Sequence, residues 1–227
     1  IDLRGLDGRF IYRCMPDRKQ DGVVYWESRG GLSTIGASYA SELIGDDRES
    51  KRRNDYGHEE DRMLTEYRIA AQPGQRYAMR QIGALVPDLM HGEPHWQAAR
   101  LVMAGAWSGY DEVREDNRAA WADLWKGRPV LIGADDKWQD LADASFFYLH
   151  SSVHRSSPCS VAPFGLSRRQ EYSGHVFWDA ETFMFPATLL TDPEAAKAML
   201  EYRCRQAPRA RMNAKLTGYA GLQFPWQ

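Results

Sequence analysis

The segment Glu171-Tyr172-Ser173-Gly174-His175-Val176-Phe177-Trp178-Asp179-Ala180-Glu181-Thr182-Phe183 gathers aromatic rings, a histidine and three carboxylates into one short stretch. A flat ring covers the apolar C–H face of a pyranose while a carboxylate accepts its hydroxyl protons, so Trp178 beside Asp179 suits a carbohydrate subsite. The plainer reading makes Asp179 the N-cap of the following helix and Trp178 a core residue. If the chain is already helical at Asp179, the carboxylates of Asp179 and Glu181 point roughly 200° apart, and only one can face a given pocket. We expect Asp179 to face the substrate and Glu181 to serve as a helix-start charge or supporting residue. His175 either orients Asp179 or a sugar hydroxyl, or is structural. Pro186 is expected to bend or break the helix that begins here.

Other chemistries find less support. His91 with His95, and His150 with His154, have the i, i+4 spacing that puts two rings on one helical face. Gly92 and Pro94 interrupt the first pair, however, and the second sits at a helix end with no neighbouring carboxylate, so no metal is expected. There is no G-x-S-x-G elbow, and Cys159 has no base near it in sequence. Neither G-x-G-x-x-G nor G-x-x-x-x-G-K occurs, which argues against a nucleotide cofactor; none is expected.

The elements that must position these residues change character along the chain. Val23–Trp26 and Leu32–Ala40 read as strands around Gly30-Gly31, and Met63–Ile69 and Tyr77–Val86 as a further pair around the turn signal Pro73-Gly74. The charged stretch Asp46–Asp61 between them, with its two signs cancelling, reads as a solvated loop. From Asp111 the apolar spacing becomes helical through Trp121 and Trp125, ending at Gly127 and Pro129. Asp135-Asp136 opens a helix through Leu149, Asp192-Pro193 opens another through Tyr202, and Pro208 is expected to open a third that closes at Gly218, making a helical hairpin. Strands first and helices after favour two domains or an α+β layout.

Composition narrows the class. The 227 residues hold 29 basic and 31 acidic side chains, a formal net charge of −2, so the positive footprint of nucleic-acid binding is absent. Three widely spaced cysteines, Cys14, Cys159 and Cys204, argue for a reducing compartment, and a cytoplasmic location is expected. The longest apolar stretch, Phe183–Leu190, is too short to span a bilayer. No nucleic-acid or membrane partner is expected.

The residues Phe164-Gly165-Leu166, then Tyr172 through Met184, resemble glycoside hydrolase family sixty-five, which holds maltose, trehalose and kojibiose phosphorylases, acid trehalases and related α-glucosidases. The likeness continues through Gly109-Tyr110-Asp111, Asn117–Trp121, Phe147-Tyr148-Leu149, Leu200–Arg203, Ala210–Ala214 and Gly221-Leu222-Gln223-Phe224-Pro225-Trp226. It implies a multidomain α+β chain: a partial antiparallel β-sandwich over 1–90, a helical linker over 91–132, and over 133–227 the first hairpins of an (α/α) six-hairpin barrel. Trp178, Asp179 and Trp226 would then bind the glucosyl unit, with His175 and Glu181 nearby. Family members invert the anomeric centre, with a Glu as general acid and phosphate or an activated water attacking from the opposite face. That acid is expected beyond Gln227, so no catalytic residue is assigned within the chain. Inorganic phosphate would be a co-substrate if the enzyme is a phosphorylase.

The function expected on this basis is an inverting α-glucoside hydrolase or phosphorylase acting on a small glucose-containing carbohydrate. The 227 residues would be its N-terminal part, carrying some of the glucosyl subsite and inactive alone. The alternative is a non-catalytic carbohydrate-binding or assembly subunit. Apolar helix faces and open strand edges left by missing neighbours would favour association, including a homo-oligomer.

Overall fold

The computed structural model describes residues 8–14, 20–31, 33–45, 51–55, 63–89, 91–166, 172 and 175–225; for 8–14 and 51–55 it describes the backbone alone. The chain divides into two compact units, Ile1–Arg118 and Ala119–Gln227.

In the first unit, β2 (Gly22–Ser28) and β3 (Thr34–Ile44) form the antiparallel hairpin that Gly30-Gly31 announces. Both glycines have positive φ, 75° and 68°, a region that side-chain-bearing residues rarely adopt. β1 (Gly8–Cys14) adds to β2 with a bulge between Phe10 and Tyr12, and β6 (Ala78–Pro87) adds to β3, giving the antiparallel order β1-β2-β3-β6. β4 (Lys51–Asp55) pairs with β5 (Leu64–Arg68) as a separate two-stranded ribbon.

Two expectations are corrected here. The charged stretch read as a loop carries β4, because backbone pairing in a ribbon needs no apolar side chains and net charge says little about it. The strands on either side of Pro73-Gly74 do not pair with each other, since β6 finds its partner in β3.

Period-two alternation gives the four-stranded sheet two covered faces. Val24, Trp26, Ala37 and Tyr39 form one apolar cluster with Met63, and the Tyr39 hydroxyl hydrogen-bonds Thr65 Oγ1 at 2.8 Å, which holds β5 on that face. On the other face Tyr25 meets the His95 ring at a centroid distance of 4.6 Å. His95 belongs to α1 (Pro94–Ser108), whose Ala98, Ala99 and Val102 are buried. α1 comes so close to β3 that a Cβ on Gly36 would lie 2.1 Å from the His95 backbone nitrogen and 2.2 Å from the Pro94 carbonyl carbon. Backbone atoms of a helix start cannot swing aside, so Gly36→Ala is expected to destabilise this unit by about 1–3 kcal/mol or more, read as a lowered thermal midpoint.

The remaining helices are α2 (Tyr110–Leu124), α3 (Asp136–Ser152), α4 (Phe185–Thr191) and α5 (Pro193–Leu216). In the second unit Trp121 packs on Phe147 at 5.2 Å and Trp125 on Phe146 at 4.9 Å, so rings at the end of α2 and on α3 interlock. Val153, Val161, Ala180, Ala195 and Met199 form its core, with Val176, Met184 and Phe185 packed around them. The helical hairpin expected at Pro208 is instead one continuous helix, α5. A proline inside a helix loses one hydrogen bond and crowds the preceding turn, a cost of about 3 kcal/mol. Ala210 and Ala214, buried beyond Pro208 as Ala195 and Met199 are before it, supply the packing that carries the helix through. Gly218, at φ 84°, follows its end. Among the described residues no helix is long and apolar enough to cross a membrane.

Each unit buries a histidine. His95 is 2% exposed, and His150 on α3 is 7% exposed, its ring tilted against Phe146 at a centroid distance of 4.3 Å and hydrogen-bonded through Nε2 to Thr191 Oγ1 at 2.9 Å. Burial pushes both below the ordinary 6.5, against smaller opposing pulls from Glu93 and Asp192. A histidine whose folded pKa is depressed favours the folded state above its unfolded pKa, and that contribution is lost as pH falls from about 6.5 through the folded value. Denaturant midpoints are therefore expected to drop between pH 7.5 and 5.5, and the drop to shrink in His150→Gln.

Candidate functional site

The segment singled out for chemistry enters its helix with alternate residues committed to opposite environments. Phe177 and Ala180, three apart, are 5% and 1% exposed and face the core, whereas Trp178 between them is 52% exposed. Asp179 already has helical dihedrals, φ −53° and ψ −33°, and makes no side-chain cap to the turn that follows. From Ala180 to Met184 the backbone is a π-helix, closed by the Phe185 N–H donating to the Ala180 carbonyl. This wider turn ends just before Pro186, which therefore occupies the first turn of α4, where its missing N–H costs least. Pro186 was expected to bend or break the helix; the chain accommodates it with the wider turn.

Arg203, on α5, holds this segment. Its Nε donates to Glu181 Oε1 at 2.7 Å and its Nη2 to Glu181 Oε2 at 2.9 Å, a two-point pair. The same Nη2 reaches the Phe177 carbonyl at 2.8 Å and the Val176 carbonyl at 3.3 Å. One guanidinium thus satisfies backbone acceptors just before Trp178 and the carboxylate just after it. Its far side lies over the Phe224 ring, 5.9 Å from the centroid.

Two cavities border this cluster. The first, about 600 Å³, is lined by Trp178, Glu181, Leu200, Arg203, Phe224 and Pro225. The second, about 570 Å³, shares Arg203, Phe224 and Pro225 and includes His175. Trp178 and Glu181 are therefore brought together on one wall, and His175 opens onto the neighbouring space. Asp179 is half-buried and is not among the described lining of either cavity; among the described residues its carboxylate accepts no hydrogen bond. Trp226 lies outside the described residues. Arg203 was missed by the sequence reading: it stands 22 residues after Glu181 in an unremarkable helix, and nothing in local spacing marks it as that carboxylate's partner.

His150 and His154 are engaged separately, His150 with Thr191 and His154 Nδ1 with Ser156 Oγ at 2.7 Å. Among the described residues no group of three His, Cys, Asp or Glu could hold a metal ion. Burial raises the Cys159 thiol above its ordinary value, with Arg205 opposing.

Residues 143–227 match the family model of the "Glycosyl hydrolase family 65 central catalytic domain", and this stretch of the chain belongs to that family. It is 36% identical over 154 residues to kojibiose hydrolase of Flavobacterium johnsoniae, covering 68% of this chain and 22% of that protein. Kojibiose phosphorylase of Caldanaerobacter subterraneus is 39% identical over 120 residues, 52% of this chain and 15% of that one. Protein-glucosylgalactosylhydroxylysine glucosidase of Gallus gallus is 42% identical over 123 residues, 51% of this chain and 18% of that one. The chain thus spans about a fifth of the length of these curated relatives. A solved human-microbiome protein, provisionally described as a kojibiose phosphorylase, shares the fold with a TM-score of 0.76 over 96% of this chain and 28% of its own, at 17% identity.

Arg203→Ala is expected to cost about 1–3 kcal/mol, less than a fully buried pair because Glu181 is partly exposed, and Arg203→Lys to recover only part because an ammonium cannot make the two-point contact. Thermal unfolding of the two variants beside Glu181→Gln checks the order, with Glu181→Gln the mildest.

Proposed function

We propose that this chain supplies one wall of the glucosyl pocket of an inverting α-glucoside hydrolase or phosphorylase acting on a glucose-containing disaccharide or related glucoside. The observation that carries this reading is the placing of Trp178: its neighbours Phe177 and Ala180 are buried, and its indole remains half-exposed on the wall of a cavity it shares with Phe224 and Pro225. Both Glu181 oxygens are held by Arg203, and it is the family resemblance of the Trp178-Asp179 pair that leads us to assign Asp179 to the sugar hydroxyls and Trp226, next to Pro225 in sequence, as a second ring over the same unit. On this reading 1–90 belongs to a β-sandwich, 91–132 to a helical linker and 133–227 to the start of an (α/α) barrel.

The general acid that protonates the glycosidic oxygen is placed outside these 227 residues. In the hydrolytic version it would stand roughly 6.5–9.5 Å from a carboxylate that activates water, and in the phosphorolytic version phosphate attacks from that opposite face. None of the curated relatives named above is a non-catalytic sugar binder.

Calorimetric titration of the chain with kojibiose, trehalose, maltose and glucose tests the binding role. Trp178→Ala is expected to weaken the preferred sugar about tenfold or more, the worth of one stacked ring, and Asp179→Asn to weaken it comparably. Unchanged affinity in Trp178→Ala would remove the pocket assignment. A glucose-release assay with and without phosphate is expected to show no turnover by the 227 residues alone, and turnover would put the acid within them.

A further inference from the structure

Among the described residues Tyr172 alone, apart from glycines, has a positive φ, 53°. In that region the Cβ crowds the following carbonyl oxygen, so an aromatic residue stays there only where its surroundings hold it. Here they do. The Tyr172 ring stacks on Phe164, with planes 10° apart and centroids 5.9 Å apart, and meets Phe177 edge-on at 4.9 Å. Its carbonyl accepts the His175 N–H at 2.9 Å, which closes the turn between them. Phe164 is anchored in its own turn: the Gly165 N–H donates to the Ala162 carbonyl at 2.8 Å, and the Leu166 N–H to Ser152 Oγ, at the end of α3, at 3.2 Å.

These contacts converge on the residues that lead into Trp178. Phe177 immediately precedes it and is buried, and Arg203 grips Phe177 by its backbone carbonyl. Tyr172 meets the same residue by its ring, so backbone and side chain are supported by different partners. Tyr172 itself is half-exposed and is not among the described lining of either cavity. Its ring therefore acts on the cavities through its neighbours. A glycine would take this backbone without strain but would give up both ring contacts, so the strained position serves to keep a ring between Phe164 and Phe177.

We propose that Tyr172 is a positioning residue for Trp178: set between Phe164 and Phe177, it fixes the Phe177 ring and the His175 turn, and with them the direction from which the indole meets its cavity. The consequence for a sugar rests on the pocket reading above; the positioning does not.

The test is fluorine NMR of the 227-residue chain labelled with fluorotryptophan, in which the Trp178 resonance is the one lost in Trp178→Phe. Tyr172→Phe, which keeps the ring, is expected to leave that resonance in place. Tyr172→Ala and Phe164→Ala are each expected to shift or broaden it, while the resonances of Trp26 and Trp96, in the first unit, stay where they are. Tyr172→Gly should lose the Trp178 signature as Tyr172→Ala does, yet melt higher than Tyr172→Ala, because glycine suits a left-handed backbone; at an ordinary backbone position the order is reversed. Affinity for kojibiose is expected to fall severalfold in Tyr172→Ala and to be kept in Tyr172→Phe. Should Trp178→Ala bind the sugar as well as the unaltered chain, the sugar reading fails and the resonance result stands by itself. An unmoved Trp178 resonance in Tyr172→Ala, whatever the sugar affinity, would overturn the proposal. So would the collapse of all tryptophan resonances together in both alanine variants, or Tyr172→Gly melting below Tyr172→Ala.

Discussion

One guanidinium organises the second unit's candidate site. Arg203 reaches across from α5 to meet both oxygens of Glu181 and the carbonyls of Val176 and Phe177, so the backbone entering the π-helix and the side chain leaving it are held by the same planar group. Only arginine provides donors in that fixed fork; a lysine would offer a point charge and satisfy fewer of these acceptors. Because the carbonyls lie just before Trp178 and the carboxylate just after, the indole's direction is set from both sides. Ala180, packed into the core with Met199 and Ala195, closes off rotation toward the interior.

The local backbone follows from that arrangement. Burying Phe177 and Ala180 while leaving Trp178 and Glu181 on a cavity wall asks for a helix start with two distinct faces within four residues. The π-helix meets the further demand of reaching Pro186 without leaving an α-helical carbonyl to collide with its ring. Wide turns of this kind are uncommon and tend to occur where a helix carries function. The first unit shows a comparable close constraint at Gly36, where the absence of a side chain lets the start of α1 sit directly on β3.

Much of this was legible in the order of residues. The β-branched and aromatic run Val23–Trp26 marked β2, alternation in Tyr77–Val86 marked β6, Gly30-Gly31 marked the hairpin, and Asp135 and Asp192 marked the beginnings of α3 and α5. The run from Tyr172 to Met184 marks the family in the sequence itself, because its residue types follow one another in a combination that composition alone would rarely produce. The failures share a cause. Charge made 51–55 look like a loop, and Pro208 looked like a break, since local preference is a weak force against pairing and burial contributed by distant residues.

What the sequence alone determined were the periodicities, the turn residues and the chemical character of the Trp178-Asp179 segment, all properties of neighbours in the chain. The tertiary structure decided which strand pairs with which, that α5 continues past Pro208, and that Glu181 is neutralised by Arg203 while it shares a wall with Trp178. The physical reason is reach: hydrogen bonds and ion pairs act over about 3 Å in space, and the groups that meet at this site come from segments far apart along the chain, whose approach is governed by burial of the core between them.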